Sequence, residues 1–316
     1  MARTAAPGSA VPSQPGVPPA FIIALAIVGV SWAAILVRWS HVSAYVLAFW
    51  RLSLSLLVIA AALTAGRDWS RLTQVKRADL VLLGLAGALL AFHFVSWFIS
   101  LEYTTVASST LLVNLHPLFA AGLSALWLHE RPSGGEWAGI VIATLGAVVV
   151  AGASLTLGLE AQKGNGLALL GGVLMAGYFV IGRRQRRTLG IWPYVAWVYA
   201  IAALILVPFI AARGEPFLGY PAREWWVFAG LAAGPMLLGH TGFNWALRHV
   251  RAYIVNLAVL GEPIGASLLA WWLLGGRELP GPATVVGGVL ILLGVGISIY
   301  SRQGASGWRE PVPRSR

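Results

Sequence analysis

Ten stretches of this chain are apolar enough and long enough to cross a bilayer, and they limit what it can fold into. They run approximately over residues 20–37, 43–65, 79–100, 104–128, 134–153, 165–182, 191–212, 222–245, 252–275 and 281–300. Each approaches the roughly 20 residues that a helix needs to cross about 30 Å of hydrocarbon. In lipid a backbone must satisfy its own polar groups, which a helix does within one segment. Composition agrees: 58% of residues are hydrophobic and 10% charged, against roughly a quarter charged in a soluble domain. The sequence therefore predicts an all-α integral membrane protein. No small-residue cleavage site follows the first run, so it reads as a span and not as a removed leader.

The second constraint is a duplication. Shifted by about 146 positions, Trp32 falls on Tyr178, Gly84 on Gly230, Ser100 on Ala246 and Pro117 on Pro263. Two residues inserted beyond the prolines bring Gly139 and Gly146 onto Gly287 and Gly294. The chain thus divides into a tail (1–19), a five-helix repeat (20–153), a linker (154–164), a second five-helix repeat (165–300) and a basic tail (301–316). An odd number of spans per repeat makes the second enter the membrane upside down. Two inverted repeats of this kind build a site near the midplane that opens to either side in turn.

Lysine and arginine set the orientation. With a cytoplasmic amino terminus, inner segments carry sixteen of these residues and outer segments five, which places both termini in the cytoplasm of a multi-pass inner-membrane protein. The net charge of +11 lies between apolar runs, where its partner is anionic lipid and not nucleic acid. With no cysteine, disulfides and thiolate metal sites are excluded.

The residues Ser-Leu-Glu-Tyr-Thr-Thr-Val-Ala at 100–107, Pro117, and Leu-His-Glu-Arg-Pro at 128–132 form one pattern. The second half repeats it with Leu-Gly-Glu-Pro-Ile-Gly-Ala at 260–266 and Arg-Glu-Leu-Pro at 277–280. This pattern resembles the EamA-type permeases of the drug/metabolite transporter superfamily over roughly residues 20–300. The resemblance implies ten helices, cytoplasmic termini and export of small metabolites. Within the family, the aromatic-rich interior is similar to the amino-acid exporters of the YddG type. The repeats are not chemically equivalent, since position 116 is histidine where position 262 is glutamate.

Polar residues inside spans are the candidate site, because ionisable groups in hydrocarbon are costly and face a cavity or a partner. Arg51 lies about eight residues into the second run, on the order of 12 Å from its end. Glu262 lies at a compatible depth, so a structural ion pair and substrate or proton handling are both open readings. His93 with Trp97, and His240 with Asn244, are spaced by four and share helix faces in repeat-related helices. They, like His116, either line the pathway or bond between helices. Pro117 and Pro263 free the carbonyls of Val113 and Val259 and bend their helices as kinks or gates. Trp32, Trp50, Trp97, Trp197 and Tyr178 lie deep enough to wall a pocket. Trp39, Trp69, Trp137, Trp192, Trp225 and Trp226 fit interfacial belts. The spaced glycines predict close helix packing, with a homodimer face on the fifth and tenth spans as a further option.

No phosphate loop of the GxxxxGK[ST] type and no catalytic constellation is present, and no carboxylate stands at ligand spacing from a histidine. The sequence thus predicts a transporter without cofactor or metal, and not an enzyme. Its favoured substrates are small metabolites, amino acids including aromatic ones. Efflux of cationic drugs is the rival within transport, and a membrane scaffold or receptor the rival outside it.

Overall fold

The computed structural model describes residues 17–67, 69–73, 75–128, 133–153, 158–185, 189–246, 258–275 and 278–306. Among them the secondary structure is helical. In chain order the helices are α1 (Pro19–Ser31), α2 (Ala33–Trp39), α3 (Ala44–Ala65), α4 (Ser70–Thr73) and α5 (Arg77–Tyr103). There follow α6 (Val106–Val113), α7 (His116–Leu128), α8 (Gly134–Ala153), α9 (Leu159–Gln185) and α10 (Ile191–Ala212). The last are α11 (Ala222–Leu231), a π-helical segment (Ala232–Thr241), α12 (Gly242–Ala246), α13 (Gly261–Leu274) and α14 (Pro282–Ser306). Glu130, Arg131 and Arg277 of the family-like motifs lie outside the described residues.

Local chemistry explains the boundaries. Pro18 and Pro19 open α1, where a missing amide hydrogen costs nothing. Ser43 caps α3 by accepting from the Val46 amide, and Thr105 caps α6 by accepting from Ser108. Gly275 ends α13 at φ +84°, a left-handed conformation that glycine adopts without penalty. α9 starts at Leu159, inside the segment read as linker, with Glu160 paired to Lys163 in its first turn.

Among the described residues, seven helical stretches are long and apolar enough to cross a membrane unaided: Pro19–Trp39, Ala44–Ala65, Asp79–Tyr103, Gly134–Ala153, Leu159–Gly182, Ile191–Ala212 and Pro282–Ser301. The chain is a multi-pass membrane protein. The other three of the ten predicted runs are not continuous α-helices here. The run 104–128 breaks between α6 and α7, where Pro117 cannot donate to Val113. The run 222–245 is split by the π-helical segment around Pro235. The run 252–275 is described from residue 258 onward and turns at Leu260 before Pro263.

The helices pack in a pattern that the duplication explains. α5 lies against α9 and α1 against the π segment, which are the same pair when the halves are exchanged. So are α3 with the π segment and α10 with α5, and likewise α6–α7 with α9 and α13 with α1. The pairs α3–α10, α6–α13 and α8–α14 map onto themselves. The spaced glycines predicted to bring helices together do so within the chain: Gly139 and Gly146 of α8 face Gly294 and Gly287 of α14. Large apolar side chains such as Val81, Val148, Trp226 and Trp272 stand exposed on the outside, which suits lipid as solvent.

Candidate functional site

A cavity opens among the interrupted helices of both halves. Its charged and polar lining is Arg51 of α3, His93 of α5, Asn114 and His116 at the α6–α7 break, His240 of the π segment and Glu262 of α13. Its aromatic walls are Phe94, Trp97, Phe179 and Phe243. The irregular backbone at these breaks lines a cavity and does not face lipid, where unpaired backbone groups would cost several kcal/mol each (~2–7).

The α6–α7 break is supported by specific side chains. At α6–α7, His116 hydrogen-bonds the carbonyl of Val113, the group that Pro117 leaves without its helical donor. Asn114 Nδ2 donates to the Thr110 carbonyl at 2.9 Å. His93 Nδ1 lies 2.8 Å from the carbonyl of Gly171 on α9, joining the closely packed pair α5–α9. We expect His116→Phe to orphan the Val113 carbonyl and cost about 1–3 kcal/mol. Its thermal midpoint in detergent should fall below that of His116→Gln, which still carries a donor.

The π segment brings His240 inward. Wider turns of this kind occur mostly as single-turn bulges inside α-helices, frequently at functional sites. Here the backbone of α1 passes close: a Cβ on Gly29 would come within 2.9 Å of the Gly234 carbonyl, and one on Gly239 within 2.5 Å of Val30 Cγ1. Nothing in the apolar periodicity of 222–245 announces the extra residue per turn; Pro235 was the only signal.

Arg51 and Glu262 do not form the direct ion pair that their depths allowed. The Arg51 guanidinium sits over the Phe94 ring at 4.2 Å, and Phe98 lies at 5.9 Å. Glu262 Oε2 has Asn114 Nδ2 at 3.5 Å. The Arg51 side chain is 1% exposed, and its Nε and Nη1 have no hydrogen-bond partner among the described residues. The same is true of Trp97 Nε1.

Of the predicted site residues, His93, Trp97, His116, His240, Glu262 and Arg51 thus meet at one cavity. Pro117 lies one residue beyond the lining residue His116, and Pro263 one beyond Glu262. Trp32, Tyr178 and Trp197 do not line it. Trp32 packs on Trp39 at 6.1 Å, and Tyr178 is buried against Phe179 and Tyr194. Trp197 Nε1 donates to the Leu72 carbonyl in α4. The side chain of Asn244 is outside the described residues. Phe94, Phe179, Phe243 and Asn114 were missed. Asn114 was legible as a polar residue within an apolar run; the phenylalanines look like any other apolar residue.

The model of the EamA-like transporter family matches residues 19–152 and 162–300. The pseudopaline exporter CntI of Pseudomonas aeruginosa is 27% identical over 222 residues, covering 69% of this chain and 75% of that protein. A probable terminal-alkyne amino-acid exporter of Streptantibioticus cattleyicolor is 27% identical over 256 residues, covering 77% and 82%. The uncharacterized transporter YdfC of Bacillus subtilis is 25% identical over 230 residues, covering 71% and 74%. A solved crystal structure superposes with a TM-score of 0.64 at 23% identity, covering 90% of this chain and 98% of its own, and so shares the fold. These relatives are named transporters and exporters, not enzymes. With both halves matched in turn, the chain belongs to the EamA-like transporter family.

Proposed function

We propose that this chain exports small metabolites, with amino acids including aromatic ones as the favoured substrates, by alternating access across the cell inner membrane. The observation that carries this reading is the cavity, walled by aromatic rings and lined by interrupted helices from both halves. In this reading ten spans form two inverted five-helix repeats, 20–153 and 165–300, with both termini in the cytoplasm. The exchange symmetry of the helix pairs supports it, as does the surplus of basic residues in inner segments. The Streptantibioticus relative, named an amino-acid exporter, supports the substrate class. His93, Trp97, His116, His240 and Glu262 then act as pathway residues, and Pro117 and Pro263 fix the bends about which each half-helix moves.

Proteoliposomes test this. Vesicles preloaded with radiolabelled phenylalanine, tryptophan and aliphatic amino acids should lose label faster with the protein than without it. Equal loss for every amino acid would defeat the reading. A second reading, efflux of cationic drugs, is favoured by the Glu262 carboxylate in the cavity. It predicts export of lipophilic cations that is lost in Glu262→Gln, with no amino-acid efflux.

A further inference from the structure

We infer that a second pocket, nearer the outer end of the bundle, is an exit-side station that holds the substrate between the central cavity and release, with Phe98 as the door between the two. This rests on the exporter reading above, its cytoplasmic amino terminus included, and adds to it a second site and a route.

The pocket is lined by Arg38 and Ser40 at the end of α2, Leu47 of α3, and Phe98, Leu101 and Glu102 of α5. Its volume is about 170 Å³ against about 100 Å³ for the central cavity, so it is no smaller than the space that precedes it. Its place follows from the helices that the two spaces share. On α3, Leu47 comes four residues before the cavity residue Arg51. On α5, which runs the opposite way, Leu101 comes seven residues after the cavity residue Phe94. Both helices thus set the pocket one to two turns, roughly 6–10 Å, further out. Glu102 is exposed and the Arg38 side chain is 27% exposed, so the pocket meets solvent on its far side.

One layer of side chains separates the two spaces. Phe98 lines the pocket, and its ring centre stands 5.8 Å from that of Phe94, 5.4 Å from that of Trp97 and 5.9 Å from the Arg51 guanidinium, all three of them cavity residues. A phenylalanine ring makes no strong hydrogen bond, so it can turn aside without orphaning a buried polar group. The chemistry beyond the door suits the same cargo. Ser40 is bonded to Glu224, and Arg38 to Glu278 and the Thr104 carbonyl. Glu102 is different: it feels Arg213 through space, but Arg213 is bonded to Glu215, and the Glu102 carboxylate has no hydrogen bond or ion pair among the described residues. A free carboxylate beside apolar walls such as Leu47 and Leu101 suits a substrate with an ammonium group and an apolar side chain, as an amino acid has.

The test places single thiols in a chain that has no cysteine: Val42→Cys in the pocket and Val113→Cys in the cavity. In intact cells a membrane-impermeant maleimide should label Val42→Cys at least about tenfold faster than Val113→Cys, each rate being divided by that of the denatured protein. Adding Phe98→Ala should speed labelling of Val113→Cys by about five- to thirtyfold and leave Val42→Cys within about twofold, which also shows that the variant is folded. Phe98→Leu, the milder change, should speed it by about two- to fivefold. Saturating phenylalanine should slow labelling of Val42→Cys at least about threefold, and Glu102→Gln should remove that protection without changing the rate in its absence. Equal labelling of the two thiols, or no effect of either Phe98 variant on Val113→Cys, would mean that Phe98 closes nothing. No protection of Val42→Cys by phenylalanine, in a protein that exports it from proteoliposomes, would overturn the station and leave the exporter reading standing. Labelling of Val42→Cys only after the cells are opened would put the pocket on the entry side and overturn the exit assignment. If no amino acid is exported and phenylalanine protects neither thiol, the exporter reading falls and the station with it.

Discussion

Gly294→Leu is expected to yield no folded, monodisperse protein in detergent. A Cβ at that position would stand 2.4 Å from the Ala143 amide nitrogen and 2.6 Å from the Gly139 carbonyl oxygen. These are backbone atoms of α8, so no rotamer change relieves them. The relation is mutual: a Cβ on Gly139 would meet the Gly294 carbonyl at 2.5 Å, and one on Gly146 the Gly287 carbonyl at 2.6 Å. Two helices are therefore in contact backbone to backbone over about two turns. In lipid there is no hydrophobic drive to hold them, so close packing must supply the attraction. Overpacking costs about 1–3 kcal/mol when side chains can shift and more when they cannot, against a total stability of roughly 5–15 kcal/mol. Gly152, on α8 itself, has nothing within 4 Å of its would-be Cβ. Gly152→Ala should keep full yield and gain up to about 1 kcal/mol of helix propensity. Size-exclusion profiles and thermal midpoints of the two variants decide the matter, and a wild-type profile for Gly294→Leu would mean that α8 and α14 do not meet this way.

The glycines show how far the sequence could be read. Their spacing announced close packing, and the repeat made Gly139 and Gly146 equivalent to Gly287 and Gly294, but neither said that the two sets face each other within one chain, Gly139 to Gly294 and Gly146 to Gly287. Nor did either say that Gly288 turns away to meet Leu111. The reason is general to this fold. A soluble helix shows its inward face by a stripe of apolar residues, but a membrane helix is apolar all round and its rotation is set by packing. Depth in the membrane was therefore legible and direction was not. Trp97 and Trp197 both lie deep, yet one lines the cavity and the other bonds to Leu72. The proline breaks were legible because proline removes a donor wherever it stands. The π segment was not: it packs against α1 where Gly29 approaches Gly234, a contact between residues far apart in the chain. Charge was legible as cost but not as pairing: Arg51 and Glu262 share the cavity without touching.

Disrupting the pair Arg38–Glu278 is expected to open the cavity toward the outside. Arg38 Nη2 lies 2.7 Å from Glu278 Oε1 and donates to the Thr104 carbonyl at 2.9 Å. Glu278 Oε2 accepts from the Val106 amide at 3.0 Å, and Thr104 Oγ1 bonds Asn165 Oδ1 at 3.0 Å. One network thus ties the end of α2, the α5–α6 junction, the turn before α14 and the start of α9. With a cytoplasmic amino terminus this is the outer end of the bundle, and alternating access requires these elements to part. The side chains are 27% and 11% exposed, so the pair is partly screened and its loss is worth about 1–2 kcal/mol, a shift of roughly five- to thirtyfold between closed and open populations. Because the chain has no cysteine, Val113→Cys would place the only thiol, at the cavity wall. In intact cells a membrane-impermeant maleimide should label it about five- to thirtyfold faster when Glu278→Gln is added. Exchanging the charges, Arg38→Glu with Glu278→Arg, should return the rate toward that of the parent by rebuilding the pair. Equal labelling in all three backgrounds would mean that this network holds the fold and gates nothing. Acceleration only from the cytoplasmic side would reverse the orientation on which the transport reading depends.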